Sequence, residues 1–176
     1  LSLMLVKFLM TVFYMKIGGF TNTEYGWIFG MNAFGFIGGS QLNTLFLKRY
    51  HGQQIMAIAV VMLVLFASVL LLGNLLGIFS VTISIGFIFF YLLSLGFISP
   101  NAAATALQPF SRSAGSASAM LGFIQMLMGA LASAIVSHFT TTSAIPMLTS
   151  MSISASLCAA CILLYNFMIK RKLQSV

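Results

Sequence analysis

The chain has 176 residues, of which 60% are hydrophobic and only 5% are charged, and its mean hydropathy is +1.09. About a quarter of the residues in a soluble domain are charged, because its surface faces water. Eight basic residues and one acidic residue cannot cover a globule of 19.0 kDa. The composition therefore excludes an ordinary soluble domain and predicts a protein whose surroundings are a lipid bilayer.

The charge pattern excludes two further classes of function. A net charge of +7 could suggest nucleic-acid binding, but the basic residues lie between or beyond the apolar runs and do not form one patch. The single carboxylate, Glu24, provides no pair for acid–base catalysis, so we expect no enzyme. Cys158 and Cys161 lie within an apolar run and are interpreted as small core residues, so we expect no metal site and no cofactor.

Six apolar segments follow one another along the chain. The first, residues 1–15, contains Lys7 and is too short to cross a bilayer alone. Because the chain begins with Leu1 and not with Met, we interpret it as a fragment whose first helix starts upstream. The other five have about 21–25 residues, enough to cross the hydrocarbon core as helices: 25–47, 55–76, 78–98, 116–138 and 145–169. We predict an all-α transmembrane bundle of six helices over residues 1–172, with a cytoplasmic tail at 173–176.

The loops between these segments predict the orientation of the bundle. Alternate loops lie on the same side of the bundle. The loops 48–54 and 99–115, together with the C-terminus, carry Lys48, Arg49, Arg112 and the basic run 170–172. The loop 16–24, on the other side, carries Lys16 together with Glu24. Positive charge is retained on the cytoplasmic side of membrane proteins. We therefore expect the loops 48–54 and 99–115 and the C-terminus to be cytoplasmic.

Three residues in the two basic loops have predicted conformational roles. In the loop 48–54, Gly52 is expected to permit a tight turn, while the neighbouring cations anchor at the lipid headgroups. In the loop 99–115, Pro100 and Pro109 are each expected to interrupt a helix.

Small and polar residues recur at helical spacing in two of the segments. Gly35 and Gly39 are four residues apart, which permits close helix packing, and Asn32 and Asn43 return to nearly the same face. The segment 116–138 carries a similar stripe, which includes Gly122, Gln125 and Gly129. Two interpretations remain open for both stripes: the residues pack against neighbouring helices, or they border a cavity.

Three stretches of the chain resemble a known transporter family. They are YGWIFGMNAFGFIGGSQLN, the LKRYHG that follows it, and SPNAAATALQPFSRSAGSASAMLGFIQ. Together they are similar to the C-terminal half of the bicyclomycin/chloramphenicol-resistance (Bcr/CflA) branch of the major facilitator superfamily. The resemblance implies helices seven to twelve of a twelve-helix drug:proton antiporter in the bacterial inner membrane. It also implies a missing N-terminal half of six helices that carries the proton-coupling carboxylate.

The resemblance also suggests how the intact protein works and where it binds its cargo. Two six-helix halves would rock about a site at the bilayer midplane, exporting a small amphipathic substrate while protons move inward. Asn32, Tyr91 and Gln125 are the candidate residues that line this cavity. Two alternatives remain: a non-transporting scaffold or assembly module, and a major facilitator carrier for a polar metabolite.

Overall fold

The structure, a computed structural model, describes the backbone of residues 21–139 and 145–174 and the side chains of residues 21–134 and 148–164. The described residues are almost entirely helical: α1 (Asn22–Phe46), α2 (Gly52–Leu75), α3 (Val81–Leu107), the 3₁₀ helix η1 (Gln108–Ser113), α4 (Ala114–Phe139) and α5 (Ile145–Gln174). The all-helical prediction is thus confirmed for this part of the chain. The predicted first segment, 1–15, lies outside the described residues, so the count of six helices stays a prediction.

Helix α1 begins earlier than predicted, and it includes Glu24. Thr21 caps the helix: its side chain accepts a hydrogen bond from the Glu24 backbone N–H, and the Glu24 carboxylate accepts bonds from the Thr21 N–H and hydroxyl at 2.9 and 2.8 Å. The prediction that Glu24 lies in a loop was therefore wrong. These two hydrogen bonds lower the pKa of the Glu24 carboxyl below its ordinary value, and the bond from the Thr21 backbone has the larger effect.

The tight turn predicted at Gly52 is formed at Gly77 instead. Gly52 is the first residue of α2 and has helical backbone angles, so it does not form the tight turn. Among the described residues only Gly77 has a positive φ, 67°, and it ends α2 in a turn in which the Ile78 N–H bonds to the Gly73 carbonyl. Gly52 is needed for a different reason, because an added Cβ would lie 2.8 Å from the Asn101 side-chain oxygen.

Helix α3 continues through Pro100, contrary to the predicted loop that starts at residue 99. A proline inside a helix removes one backbone hydrogen bond, whereas ending the helix there would leave several polar backbone groups without partners. The following turns also gain bonds: the Asn101 side chain donates to the Phe97 carbonyl, and the Thr105 hydroxyl donates to the Asn101 carbonyl, both at 2.8 Å. The break comes at Pro109, within η1, where Phe110 leaves helical geometry (φ −106°, ψ 32°).

Helix α3 is the centre of the described bundle. It packs along α1 on one side and along α2 on the other, and α2 also packs against α5. The core between α2, α3 and α5 is apolar, and its most completely buried large side chains are Leu63, Leu70, Ile88, Tyr91, Leu148 and Met151. Helix α4 makes few contacts with α3 and α5, and most of its described side chains are exposed.

Helices α1 and α3 run parallel and touch through their backbones. A Cβ added to Gly39 would collide with the Leu93 carbonyl oxygen, and one added to Gly96 would collide with the Phe36 carbonyl oxygen. One turn away, a Cβ on Gly35 would lie 2.7 Å from the Phe89 ring. Small residues of this kind let membrane helices approach closely enough for dense packing.

The outer surface of the bundle is apolar. Within the described residues, two helical stretches are long and apolar enough to cross a bilayer, Gly52–Leu75 and Val81–Ala134, and a shorter apolar helix covers Leu148–Leu164. A buried core helix would also meet that criterion, so the exposed side chains are more informative. Many are large and apolar, including Trp27, Phe34 and Phe123. Soluble proteins rarely expose so many large apolar side chains, whereas a lipid-facing surface consists of them.

The glycine contact between α1 and α3 can be tested with two neighbouring substitutions. Gly39→Ala should lower the free energy of unfolding by about 1–3 kcal/mol, because its methyl group overlaps the α3 backbone. Gly38→Ala is the matched control, since nothing lies within 4 Å of its added Cβ. It should be neutral or stabilise α1 by up to about 1 kcal/mol. Thermal unfolding in detergent measures both, and equal effects would contradict the contact.

Candidate functional site

Asn32 is a buried amide without a partner in the described structure. Its side chain is 1% exposed, and neither its amide nitrogen nor its carbonyl oxygen makes a hydrogen bond within the described residues. An unsatisfied buried polar group costs about 1–3 kcal/mol, so such a group in a native protein calls for a physical explanation. An amide that presents both a donor and an acceptor can hold a polar group of a ligand or a group from another part of the protein.

Asn43 lies on the same face of α1, as predicted from the sequence spacing, but its side-chain oxygen has a hydrogen-bond partner. Its side-chain oxygen accepts a hydrogen bond of 2.7 Å from the Asn101 amide nitrogen on α3, within the protein interior. Gly52 packs against the same Asn101 side chain, so this amide joins α1, α3 and the start of α2. Of the two interpretations left open for the α1 amides, helix packing describes Asn43, whereas Asn32 keeps its hydrogen-bonding capacity.

The three predicted cavity residues lie in different environments. Asn32 is buried on the α1 face that packs against α3, while Tyr91 is fully buried within the apolar core of α2, α3 and α5. Gln125 is exposed on α4. The described residues therefore do not bring these three side chains into one enclosed pocket.

The predicted packing glycines also differ from one another. Gly35 and Gly39 lie against α3, as described above. Gly122 is only partly buried, and nothing lies within 4 Å of a Cβ added to it, so its predicted packing contact is not seen in the described part of the chain. Gly129 is buried on α4.

The fold brings three basic residues to one end of the bundle. Because α1 and α3 run parallel, their C-terminal ends lie on the same side. Lys48 and Arg49 follow α1 directly, and Arg112 lies in η1 after α3; all three side chains are exposed. His51 is an exposed residue in the same turn, as expected for a surface histidine.

An apolar groove runs between α2 and α3, starting at this basic end. It has a volume of about 580 Å³ and is bordered mainly by aromatic and aliphatic side chains, among them Phe46, Tyr50, Met62, Phe66, Phe90 and Phe97. The Phe66 and Phe90 rings stack at a centroid distance of 5.5 Å, and Phe46 meets the edge of Phe97 at 6.0 Å. The surface of this groove is suited to a long apolar or amphipathic molecule.

Two features of this region were not recognised from the sequence. They are the buried amide Asn101 and the packing glycine Gly96. A signal was available for Asn101, since an amide inside an apolar helix requires a partner. No group of three or more metal-ligating side chains occurs within the part of the chain that the structure describes.

Two curated proteins are similar to this chain. It is 30% identical over 142 residues to the uncharacterized MFS-type transporter YdgK of Bacillus subtilis, an alignment that covers 81% of the chain and 35% of that protein. It is 29% identical over 165 residues to the bicyclomycin resistance protein homolog of Haemophilus influenzae, covering 94% of the chain and 40% of that protein. No protein-family model matches the sequence, and no solved structure is significantly similar to it.

These similarities confirm the predicted resemblance to the bicyclomycin-resistance branch of the major facilitator superfamily. The chain spans less than half of the length of each curated relative that it matches.

The difference between the two α1 amides predicts opposite effects of the same substitution. Asn32→Leu should leave the unfolding temperature unchanged or raise it, because it removes an unpaired buried amide. Asn43→Leu should lower the free energy of unfolding by about 1 kcal/mol, because it breaks the bond to Asn101. Thermal unfolding of both variants in the same detergent compares them. A larger loss for Asn32→Leu would show that its amide is already paired.

Proposed function

Because the chain resembles the bicyclomycin-resistance branch of the major facilitator superfamily, we propose that it is the C-terminal part of a membrane exporter of small amphipathic compounds. This proposal is carried by the alignment to a protein named a bicyclomycin resistance protein homolog. The alignment covers 94% of the chain at 29% identity. The apolar outer surface supports a location in the membrane, and a transporter of this kind is not an enzyme.

Asn32 is the residue of this chain that we propose as a polar contact for the substrate. Its buried amide has an unused donor and an unused acceptor within the described structure, so it can bond a polar group of an otherwise apolar compound. Tyr91 is a weaker candidate because it lies within the core, and Gln125 requires a facing surface from outside the described residues. We propose that a second six-helix half of the intact protein supplies that surface.

Proton coupling is proposed for the intact protein and not for this chain alone. Glu24 is the only acidic side chain in the sequence, and it lies in the first turn of α1, at the end remote from the basic turn. The hydrogen bonds from Thr21 lower the pKa of this carboxyl and favour its charged form. The sequence has no other carboxylate side chain that could couple protons. The proton-coupling group is therefore expected in the other half.

Export is tested by expressing the full-length gene in a bacterium that lacks its own efflux pumps. We expect resistance to several amphipathic antibiotics, and a protonophore should abolish it. Asn32→Leu should weaken the apparent affinity for a transported compound about three- to tenfold, the value of one lost hydrogen bond. Met31→Leu, an exposed neighbouring substitution, is the control.

Two outcomes would replace this proposal with an alternative. Normal amounts of the protein in the membrane without resistance to any compound would favour the scaffold module. Uptake of a polar metabolite without antibiotic export would favour the metabolite carrier.

We also propose that the protein lies in the bacterial inner membrane with the basic end and the C-terminus in the cytoplasm. The shared location of Lys48, Arg49 and Arg112 at one end supports this orientation. The turn at Gly77 then lies at the opposite, external end of α2, since α2 begins at the basic turn.

Cysteine labelling in a background without other cysteines tests the orientation. A membrane-impermeant maleimide added to cells with a permeabilised outer membrane should label Ile78→Cys and leave Tyr50→Cys unlabelled. Both native side chains are exposed, so neither substitution disturbs the core. After the inner membrane is opened, both positions should react. Labelling of Tyr50→Cys while the inner membrane is still intact would reverse the proposed orientation.

A further inference from the structure

The apolar groove between α2 and α3 ends at two cations that have no carboxylate partner within the described residues. Lys48 and Arg49 lie in the turn between the groove residues Phe46 and Tyr50. The Tyr50 N–H closes this turn by donating a hydrogen bond of 2.9 Å to the Phe46 carbonyl. The one carboxylate of the sequence, Glu24, lies at the other end of α1, about 36 Å away at 1.5 Å per residue. An anion from outside the chain is therefore free to bind at this turn.

The polarity of the groove changes along its length. Tyr50 and Gln54 border it near the basic turn, whereas Met62, Phe66 and Phe90 border its other end. From Gln54 to Phe66 the groove follows α2 for about 18 Å, close to the roughly 15 Å depth of one bilayer leaflet. A tyrosine beside cations is typical of the headgroup level of a membrane.

We propose that this groove binds an anionic phospholipid of the cytoplasmic leaflet, with an acyl chain along the aromatic surface and the phosphate at Lys48 and Arg49. Charge complementarity selects this occupant, because a zwitterionic lipid would bring its own cation to a basic turn. A second protein helix would fill the apolar part but would leave both cations without a counter-ion. The inference rests on the proposed location in the membrane and does not depend on which compound is exported.

Photo-cross-linking at two positions of α2 tests this site in the full-length protein. A photoreactive amino acid replaces either Ile58, which borders the groove and is 66% exposed, or Val61, which does not border it and is 64% exposed. The protein is reconstituted in vesicles of phosphatidylcholine mixed with phosphatidylglycerol of the same chain length. We expect position 58 to cross-link phosphatidylglycerol preferentially, and position 61 to cross-link both lipids in proportion to their abundance.

Charge variants then assign the preference to the basic turn. Lys48→Gln with Arg49→Gln should reduce the preference at position 58 by on the order of tenfold, since each cation near an anionic lipid surface contributes substantially to binding. The control variant, Lys170→Gln with Arg171→Gln, removes the same amount of charge near the C-terminus. It should leave the lipid preference at position 58 unchanged. Both native side chains of the turn are exposed, and gel filtration in detergent checks that each variant is folded.

Equal labelling of the two lipids at position 58, or an unchanged preference after loss of Lys48 and Arg49, would overturn the lipid site. Loss of lipid cross-linking at position 58 when an exported antibiotic is added before irradiation would also overturn it and would assign the groove to the substrate. Loss of antibiotic export in the resistance assay with an intact lipid preference would instead reject only the proposed function.

Discussion

The close approach of α1 and α3 at Gly39 and Gly96 is the contact on which the other features depend. In lipid there is no hydrophobic force that drives helices together, so dense packing and buried hydrogen bonds must hold them. Two residues without side chains allow the backbones to touch, which sets the parallel register of the helices. That register places Asn43 beside Asn101 and brings the basic turn and Arg112 to the same end of the bundle.

The same register separates two chemically identical side chains on one helix face. Asn43 meets a partner on α3, whereas Asn32, three turns earlier, is buried without one in the described structure. A paired amide contributes to packing, while an unpaired one retains binding capacity at a cost in stability. Such a cost is typical of positions that serve a ligand or another part of the protein, and this makes Asn32 the residue from which we argue function.

The bundle presents apolar surface to the outside and keeps its polar groups few and localised. The basic turn, the aromatic groove and the buried amide each suit molecules that combine an apolar body with a polar group. This chemistry applies both to the proposed exported compounds and to the proposed phospholipid. The two sites are nevertheless distinct, because Asn32 lies on the α1 face toward α3 and does not border the groove.

Local features followed from the amino-acid pattern alone: the long apolar helices, the break at Pro109, and the shared face of Asn32, Gly35, Gly39 and Asn43. These follow from composition and helical periodicity, which neighbouring residues set among themselves. Other features could not be predicted without the fold: α3 continues through Pro100, Gly52 makes room for Asn101, and Tyr91 lies in the core while Gln125 is exposed. Each of these depends on which helices meet and in what register. Asn43 and Asn101, for example, are 58 residues apart in sequence, and no local pattern relates residues so distant.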